Sequence, residues 1–248
     1  AVIAAVGIRK GYFSQLYGWL EQKKKEWLLV AAIVGIAAVP YLSRGNVVLG
    51  DAMQYSALSI YVKESLLQAA YPYWTFHWYM GSAPLAFYGW LSMLATGIVN
   101  LFVSIDWANK ILFFAFHISS ALLAYKFVKV ATGNAKAAIV AALVYGLSFE
   151  HIARVMVGRS ITALTYLLTP LLFLIYEMRL VDKIGKYMFV AATTAVISLL
   201  VFNHQADAIF IIAIFTIYAA FRASEAGKIK ATAAGLAFAL ALAAAITS

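Results

Sequence analysis

The sequence predicts an all-α protein, a polytopic helical membrane protein with about seven to eight transmembrane helices. Of its 248 residues, 65% are hydrophobic and 12% are charged, and the mean hydropathy is +0.87. A soluble domain is about half apolar and about one quarter charged. The apolar runs are also too long and continuous for the alternating strands of an outer-membrane barrel.

A membrane-spanning helix needs roughly 20 predominantly apolar residues. The predicted spans are 27–43, 84–104, 108–129, 136–153, 161–180, 187–203, 207–223 and 231–248. No repeat or linker separates them, so residues 1–248 are predicted to form a single transmembrane domain. Because the sequence has no initiator Met and stops inside an apolar stretch, one interpretation is that the chain is the N-terminal part of a longer polytopic protein.

The positive charge of the chain is arranged as expected for a protein of the cell membrane. The net charge is +9, but Lys and Arg lie in short tracts between apolar runs, which is typical of cytoplasmic loops and not of nucleic-acid binding. Residues 1–26 are predicted to be a cytoplasmic basic amphipathic segment. Tracts at Lys126, Arg179 and Arg222 predict further cytoplasmic turns, which places the turns at 150–160 and 204–207 outside.

Residues 44–83 are predicted to form the first extracytoplasmic loop. Within it, 52–70 has helical spacing and few charges, and an aromatic run follows from Tyr71 to Tyr79. Aromatic rings suit the headgroup layer, so an interfacial helix is expected here. Residue 44 is predicted to lie outside and the Lys126 loop inside, so an odd number of membrane crossings must separate them, but two spans, 84–104 and 108–129, are predicted there. Three explanations are open: 84–104 is re-entrant or interfacial, part of 52–70 crosses the membrane, or the Lys126 loop violates the charge rule.

Ionisable side chains lie in two of the predicted outer turns. His204 and Asp207 are three residues apart, and Glu150 and Arg154 are four apart with His151 between them. On a helix each of these pairs would share a face. One interpretation is an ordinary polar turn in water. The other is one polar cavity shared by both turns and by Asp51, because charged groups in a membrane chain mark functional sites.

Several other chemistries lack their motifs. The chain has no Cys, no H-x-x-x-H or H-E-x-x-H spacing and no G-x-x-x-x-G-K-[ST], so neither a zinc site nor nucleotide hydrolysis is predicted. No cofactor and no metal ligand are assigned. A divalent ion held by scattered carboxylates remains open. His117, alone within a span, is predicted to be a packed and hydrogen-bonded helix residue.

Four short motifs carry a resemblance to a known family. They are Gly50–Asp51 after the first span, "YPYW" at 71–74, "GSAPLAFYGWLSML" at 81–94 and "FNHQAD" at 202–207. Over residues 27–215 the chain resembles membrane glycosyltransferases of the GT-C fold, among them the YfhO-like and the archaeal 6-pyruvoyl-tetrahydropterin synthase-related membrane proteins. The large soluble domain of many relatives is missing, and no second acid lies near Asp51.

The resemblance implies sugar transfer from a polyprenyl-phosphate donor on the extracytoplasmic face. Asp51 would be the general base or a metal ligand, and His204 and Asp207 would assist it or orient hydroxyls. The predicted substrate-binding residues are Glu150, His151, Arg154 and Arg159, with the arginines stabilising the departing lipid phosphate. The expected partners are membrane lipid and the lipid-linked sugar donor.

Two functions compete with this hypothesis. The first is a non-catalytic scaffold subunit of a larger complex, because the alanine-rich last spans suit packing against membrane protein partners. The second is a transporter or lipid flippase. The polar groups gather at one edge of the membrane rather than at its middle, which disfavours transport.

Overall fold

All regular elements that the structure describes are helices. The computed structural model describes residues 11–22, 25–43, 52–70, 72 and 89–247. The α-helices in these residues are α1 (Tyr12–Gln22), α2 (Trp27–Ala38), α3 (Ala52–Leu67), α4 (Trp90–Val99), α5 (Ile105–Thr132), α6 (Ala135–Gly146), α7 (Phe149–Met156), α8 (Ser160–Leu180), α9 (Lys186–Asn203), α10 (Gln205–Glu225) and α11 (Ile229–Thr247). A short 3-10 helix, Val39–Leu42, continues α2.

Five helical stretches in the described residues are long and apolar enough to cross a membrane: α5, α6 with α7 as far as Arg154, α8, α9 and α10. The prediction of a helical integral membrane protein is therefore confirmed. Of the predicted span 84–104, residues 84–88 lie outside the described part of the chain, and the helix described in the rest, α4, has 10 residues, a length of about 15 Å. Such a helix is too short to cross a bilayer alone.

The centre of the bundle is formed by α5 and α8, which run in the same direction. Phe113 of α5 packs with Ala163 near the start of α8, and further along, the Phe127 and Phe173 rings meet at 5.6 Å. One hydrophobic cluster joins α8 to α9, α10 and α11. A second joins α5 to α2 and α6.

The tight turn between α5 and α6 follows from two residues. Gly133 adopts φ +69°, the left-handed conformation that commonly ends a helix. The Asn134 side chain then accepts hydrogen bonds from the backbone N–H groups of Lys136 and Ala137 and so caps α6. The chain thereby reverses within two residues and keeps its basic side chains at one end of the bundle.

The helix directions define two ends of the molecule. The basic end carries the turns 133–134, 181–185 and 226–228, since Lys228 of the last turn bonds to Asp182 and to the carbonyl of Leu180. The site end carries residues 147–159 and His204. Helix α3 lies at the site end as well, where Asn109 of α5 donates a hydrogen bond of 3.0 Å to the Ser56 hydroxyl.

Candidate active site

A cavity of about 510 Å³ lies at the site end, between the start of α8 and the junction of α9 with α10. Its wall combines charged groups, hydroxyl groups and an apolar part of similar extent. The lining residues are Tyr55, Tyr145, Glu150, Arg154, Arg159, Ile161, Thr162, Thr165, Tyr166, Thr169, His204, Asp207, Phe210 and Ile211. The cavity therefore brings both predicted outer turns together: 150–159 supplies Glu150, Arg154 and Arg159, and 204–207 supplies His204 and Asp207.

His204 is the single residue between α9 and α10. It leaves the helical conformation, with φ −161° and ψ 105°, and is the C-cap of one helix and the N-cap of the next. This break turns the chain and presents Asp207 in the first turn of α10, on the same side as the imidazole. The adjacent Asn203 is buried and anchors the break to α8, because its side-chain N–H group donates to the carbonyl of Ile161 and the hydroxyl of Thr165.

His204 and Asp207 form an acid–imidazole pair. Nδ1 of His204 lies 3.1 Å from Oδ2 of Asp207 and 3.4 Å from the Asp207 backbone nitrogen. Because the carboxylate contact is the shorter one, Nδ1–H donates to Oδ2, and Nε2 is left to accept a proton. This hydrogen bond is the largest cause that raises the pKa of His204 above its ordinary value of 6.5, and burial opposes it.

The cations of the cavity come from α7 and from the residue before α8. Arg154 donates through Nε to Oε1 of Glu150, one helical turn earlier. A guanidinium has five N–H donors, so Arg154 can hold Glu150 through Nε and still direct its Nη groups at an anion. Arg159 is the N-cap of α8 and also lines the cavity. Two guanidinium groups near one helix N-terminus favour an anionic ligand.

His151 lies behind the cavity wall. It was predicted to bind substrate, but its side chain is 1% exposed and is not among the lining residues. Its ring stacks on Tyr166 at 4.2 Å and lies 4.3 Å from the His117 ring. The amphipathic spacing of α7 explains the difference, because Glu150 and Arg154 share a face and His151 points elsewhere. His117 is buried, and its Nδ1 lies 3.2 Å from the hydroxyl oxygen of Tyr41. This confirms the prediction of a packed, hydrogen-bonded helix residue.

Sequence reasoning missed the hydroxyl groups of the wall. Thr162, Thr165 and Thr169 lie three and four residues apart on α8, and Tyr145 and Tyr166 complete this side of the cavity. The helical spacing of polar residues within an apolar span was the available signal. The Tyr145, Thr165 and Thr169 hydroxyl groups donate to backbone carbonyl groups of the bundle, so toward a polyhydroxylated ligand they can act as hydrogen-bond acceptors.

Asp51 lies outside the described residues, so its predicted role as base stays a prediction. Tyr55, four residues later in the first turn of α3, lines the cavity. Within the described part of the chain, no group of three or more His, Asp or Glu residues could hold a metal ion. The two lining carboxylates bind His204 and Arg154, and a divalent ion held with the help of Asp51 stays a prediction.

No protein-family model, no curated protein and no solved structure matches the chain. The chemistry of the cavity is therefore the basis for a functional proposal.

Proposed function

We propose that the protein is a membrane glycosyltransferase of the GT-C type, which transfers a sugar from a polyprenyl-phosphate donor on the extracytoplasmic face. The observation that carries the proposal is the composition of the cavity wall. One part carries an acid–imidazole pair, two arginines and several hydroxyl groups, and another part carries Phe210 and Ile211 of α10.

The cavity suits an amphiphile because its apolar part belongs to a candidate membrane span. Phe210 lines the cavity and yet is 70% exposed, so it forms part of the rim. Ile214, Ile217 and Phe221 continue from Phe210 along the exposed face of α10. A donor could place its phosphate and sugar in the polar part and its prenyl chain along this face, within the bilayer.

The polar residues can supply the chemistry of transfer. An acceptor hydroxyl attacks the anomeric carbon while the bond between that carbon and the phosphate oxygen breaks. The hydroxyl proton passes to a base, either Nε2 of His204 or the carboxylate of Asp51. Asp207 holds the imidazole and stabilises its positive charge. Arg154 and Arg159 bind the departing lipid phosphate, which keeps the electron pair of the broken bond.

The proposal includes a finer topology. Helix α2 with its 3-10 extension and helix α11 join the five long spans, which gives seven crossings. Residues 27–42 and 229–247 reach about 24 and 28 Å at the helical rise, close to the hydrocarbon thickness. Helix α3 then lies in the outer interface, and the N-terminus lies in the cytoplasm. The count of basic residues in the turns supports this orientation.

The test is sugar transfer by the full chain in proteoliposomes that contain an acceptor with a free hydroxyl group and a polyprenyl-phosphate sugar radiolabelled in its prenyl chain. We expect release of polyprenyl phosphate, with a loss of about a hundredfold in His204→Asn or Asp51→Asn, whichever residue is the base. Thr216→Val, a change in a span away from the cavity, is the matched control and should keep full activity. Unchanged transfer in Asp51→Asn removes Asp51 from the mechanism. No transfer by the wild-type chain with any such donor rejects the proposal.

The scaffold alternative has one observation in its favour. Helix α11 exposes alanines at 233, 237 and 241, a spacing that lets a second membrane helix approach closely. A scaffold predicts co-purification of a membrane partner that is lost when Ala237 is replaced by Phe, together with full tolerance of His204→Asn. The glycosyltransferase proposal predicts that sugar transfer tolerates Ala237→Phe and is impaired by His204→Asn.

A further inference from the structure

Helix α1 has three sectors with different surroundings. Tyr17 and Leu20 face the bundle, since Leu20 is buried and Tyr17 packs against the cluster formed by α2, α5 and α6. Ser14, Gln15, Glu21 and Gln22 form an exposed polar sector. A third sector is exposed but apolar.

The contacts of the bundle-facing sector fix the place of α1. The Lys136 ammonium lies 5.6 Å from the centre of the Tyr17 ring, and Lys136 belongs to the first turn of α6 at the basic end. The backbone N–H of Lys25 donates to the carbonyl of Leu20, which ties the end of α1 to the start of α2. Helix α1 is therefore docked beside the basic end, where the first apolar helix begins.

The exposed apolar sector consists of Tyr12, Leu16 and Trp19. These residues are four and three positions apart, so they form one stripe along the helix. Their exposed fractions are 57%, 46% and 52%. Trp27 at the start of α2 is also exposed, so apolar aromatic surface continues from α1 to the helix that follows it. A narrow stripe of this kind on a docked helix suits the boundary between headgroups and acyl chains.

The flanks of α1 supply a matching charge. Arg9 and Lys10 precede the helix and Lys23, Lys24 and Lys25 follow it, against the two acids Glu21 and Glu26 in the same stretch. Glu26 is itself paired with Lys129 at 3.3 Å. The excess of basic residues at both ends of an apolar stripe is complementary to anionic headgroups.

We propose that α1 is an interfacial helix that binds the anionic phospholipid surface at the basic end of the bundle. Tyr12, Leu16 and Trp19 enter the upper acyl layer, and the positive charge of the flanking lysines and of Arg9 attracts the phosphate groups. This proposal does not depend on the glycosyltransferase proposal, because it concerns the opposite end of the molecule.

The absence of Cys from the chain allows a direct test by single-site spin labelling of the full chain. Leu16→Cys and Ser14→Cys each carry a nitroxide in vesicles of phosphatidylglycerol and phosphatidylcholine. We expect the label at 16 to collide severalfold more with oxygen than with a water-soluble nickel complex, and the label at 14 to show the reverse. Equal accessibility of both labels to the nickel complex would overturn the proposal. Both sites are exposed, so neither substitution disturbs the core.

The charge contribution is tested by a second set of vesicles. In pure phosphatidylcholine, or when Lys23, Lys24 and Lys25 are all replaced by Gln, the label at 16 should become severalfold more accessible to the nickel complex. A label at 16 that is equally protected in neutral and anionic vesicles, and in the triple variant, would overturn the assignment to anionic lipid. The label at Lys183→Cys, in an exposed turn at the same end, is the matched control and should be accessible throughout.

Discussion

His204 shows how a single residue builds an acid–imidazole pair in this bundle. Its extended backbone breaks the chain between α9 and α10, and Asp207 then returns to it from the first turn of α10. Both side chains are about one third exposed, at 35% and 38%. The pair is thus accessible to a ligand in the cavity, while the neighbouring Asn203 holds the break in place against α8.

Replacing Asp207 by Asn should lower the pKa of His204 toward its ordinary value. The raised pKa means that the pair stabilises the fold fully below the ordinary value of 6.5, and that this stabilisation is lost as the pH rises through the raised pKa. We expect Asp207→Asn to lower stability by about 0.5–1 kcal/mol near pH 5.5 and by much less near pH 8.5, because the pair is partly solvated. Thermal unfolding of the purified protein at both pH values measures the difference.

Asp182→Asn is the matched control for this measurement. Asp182 is an exposed acid at the basic end that bonds to Lys228, and this partner holds the pKa of the carboxyl below its usual range. Its stabilisation is present above the ordinary carboxyl pKa, so it does not change between the two pH values. A loss in Asp207→Asn that is equal at both pH values would show that His204 does not depend on Asp207.

Residues near one another in the chain were predictable, and contacts between helices were not. The pairs 204/207 and 150/154 follow from helical spacing. Nothing in the spacing indicates that Gly89 lies against the α9–α10 break, where an added Cβ would be 1.9 Å from the carbonyl oxygen of Asn203. The orientation of His151 also depends on the packing of α7, and sequence spacing alone cannot supply it.

The helices of the bundle differ from the predicted spans where polar residues interrupt them. The predicted span 136–153 consists of α6 and α7, which are separated at Leu147 and Ser148. This break turns Glu150 and Arg154 toward the cavity. Hydropathy averaged over a window gives one continuous apolar segment here, because the average includes the two residues at which the first helix ends.

A buried cluster of hydrogen bonds around Glu177 joins α8 to α10 near the basic end. Glu177 is fully buried and accepts two hydrogen bonds from Arg222, at 2.8 and 3.0 Å, and one from the Tyr218 hydroxyl. Arg222 also binds Glu225. The partners are far apart in the sequence, so the chain pattern gave no sign of this cluster.

Removing Arg222 should destabilise the bundle strongly, since it leaves the Glu177 carboxylate buried without its cation. We expect Arg222→Met to cost about 3–5 kcal/mol. The double variant Arg222→Met with Glu177→Leu should recover most of this loss, because no buried charge remains. Thermal unfolding of the purified protein in one detergent measures both changes.

Arg179→Met is the control, because its partner Asp182 is 67% exposed and exposed ion pairs contribute little to stability. If Arg222→Met and Arg179→Met were equally stable, the cluster around Glu177 would not hold α8 to α10. A double variant as unstable as Arg222→Met would mean that the loss arises from side-chain packing rather than from the unpaired acid.

At the scale of the whole molecule, amino-acid composition was enough to predict a helical membrane protein. The positions of Lys and Arg were enough to predict which turns lie at the same end of the bundle. The turns at 133–134, 181–185 and 226–228 share one end, and residues 147–159 and 204 share the other, as the alternation of the predicted spans requires. The irregular region before α5 was harder to predict. Helices α3 and α4 pack on each other and on Ile161, an arrangement set by contacts rather than by hydropathy.

The placement of the two ends on opposite sides of the membrane is the last prediction, and it again uses the absence of Cys. Val157→Cys and Ala206→Cys label exposed positions at the site end, and Gln15→Cys and Ala226→Cys label exposed positions at the basic end. In intact cells a membrane-impermeant maleimide should modify the first pair, because the positive-inside rule places the basic end in the cytoplasm. The second pair should react only after permeabilisation.

Two other labelling patterns would contradict this topology. Reaction of Gln15→Cys together with Val157→Cys in intact cells would place α1 and the cavity on the same side of the membrane. Modification confined to the basic end would mean that the chain has the inverse orientation. The first result would overturn the placement of the two ends on opposite sides, and the second would exclude sugar transfer on the extracytoplasmic face by this cavity. The expected pattern places His204 and Asp207 where a lipid-linked donor is presented.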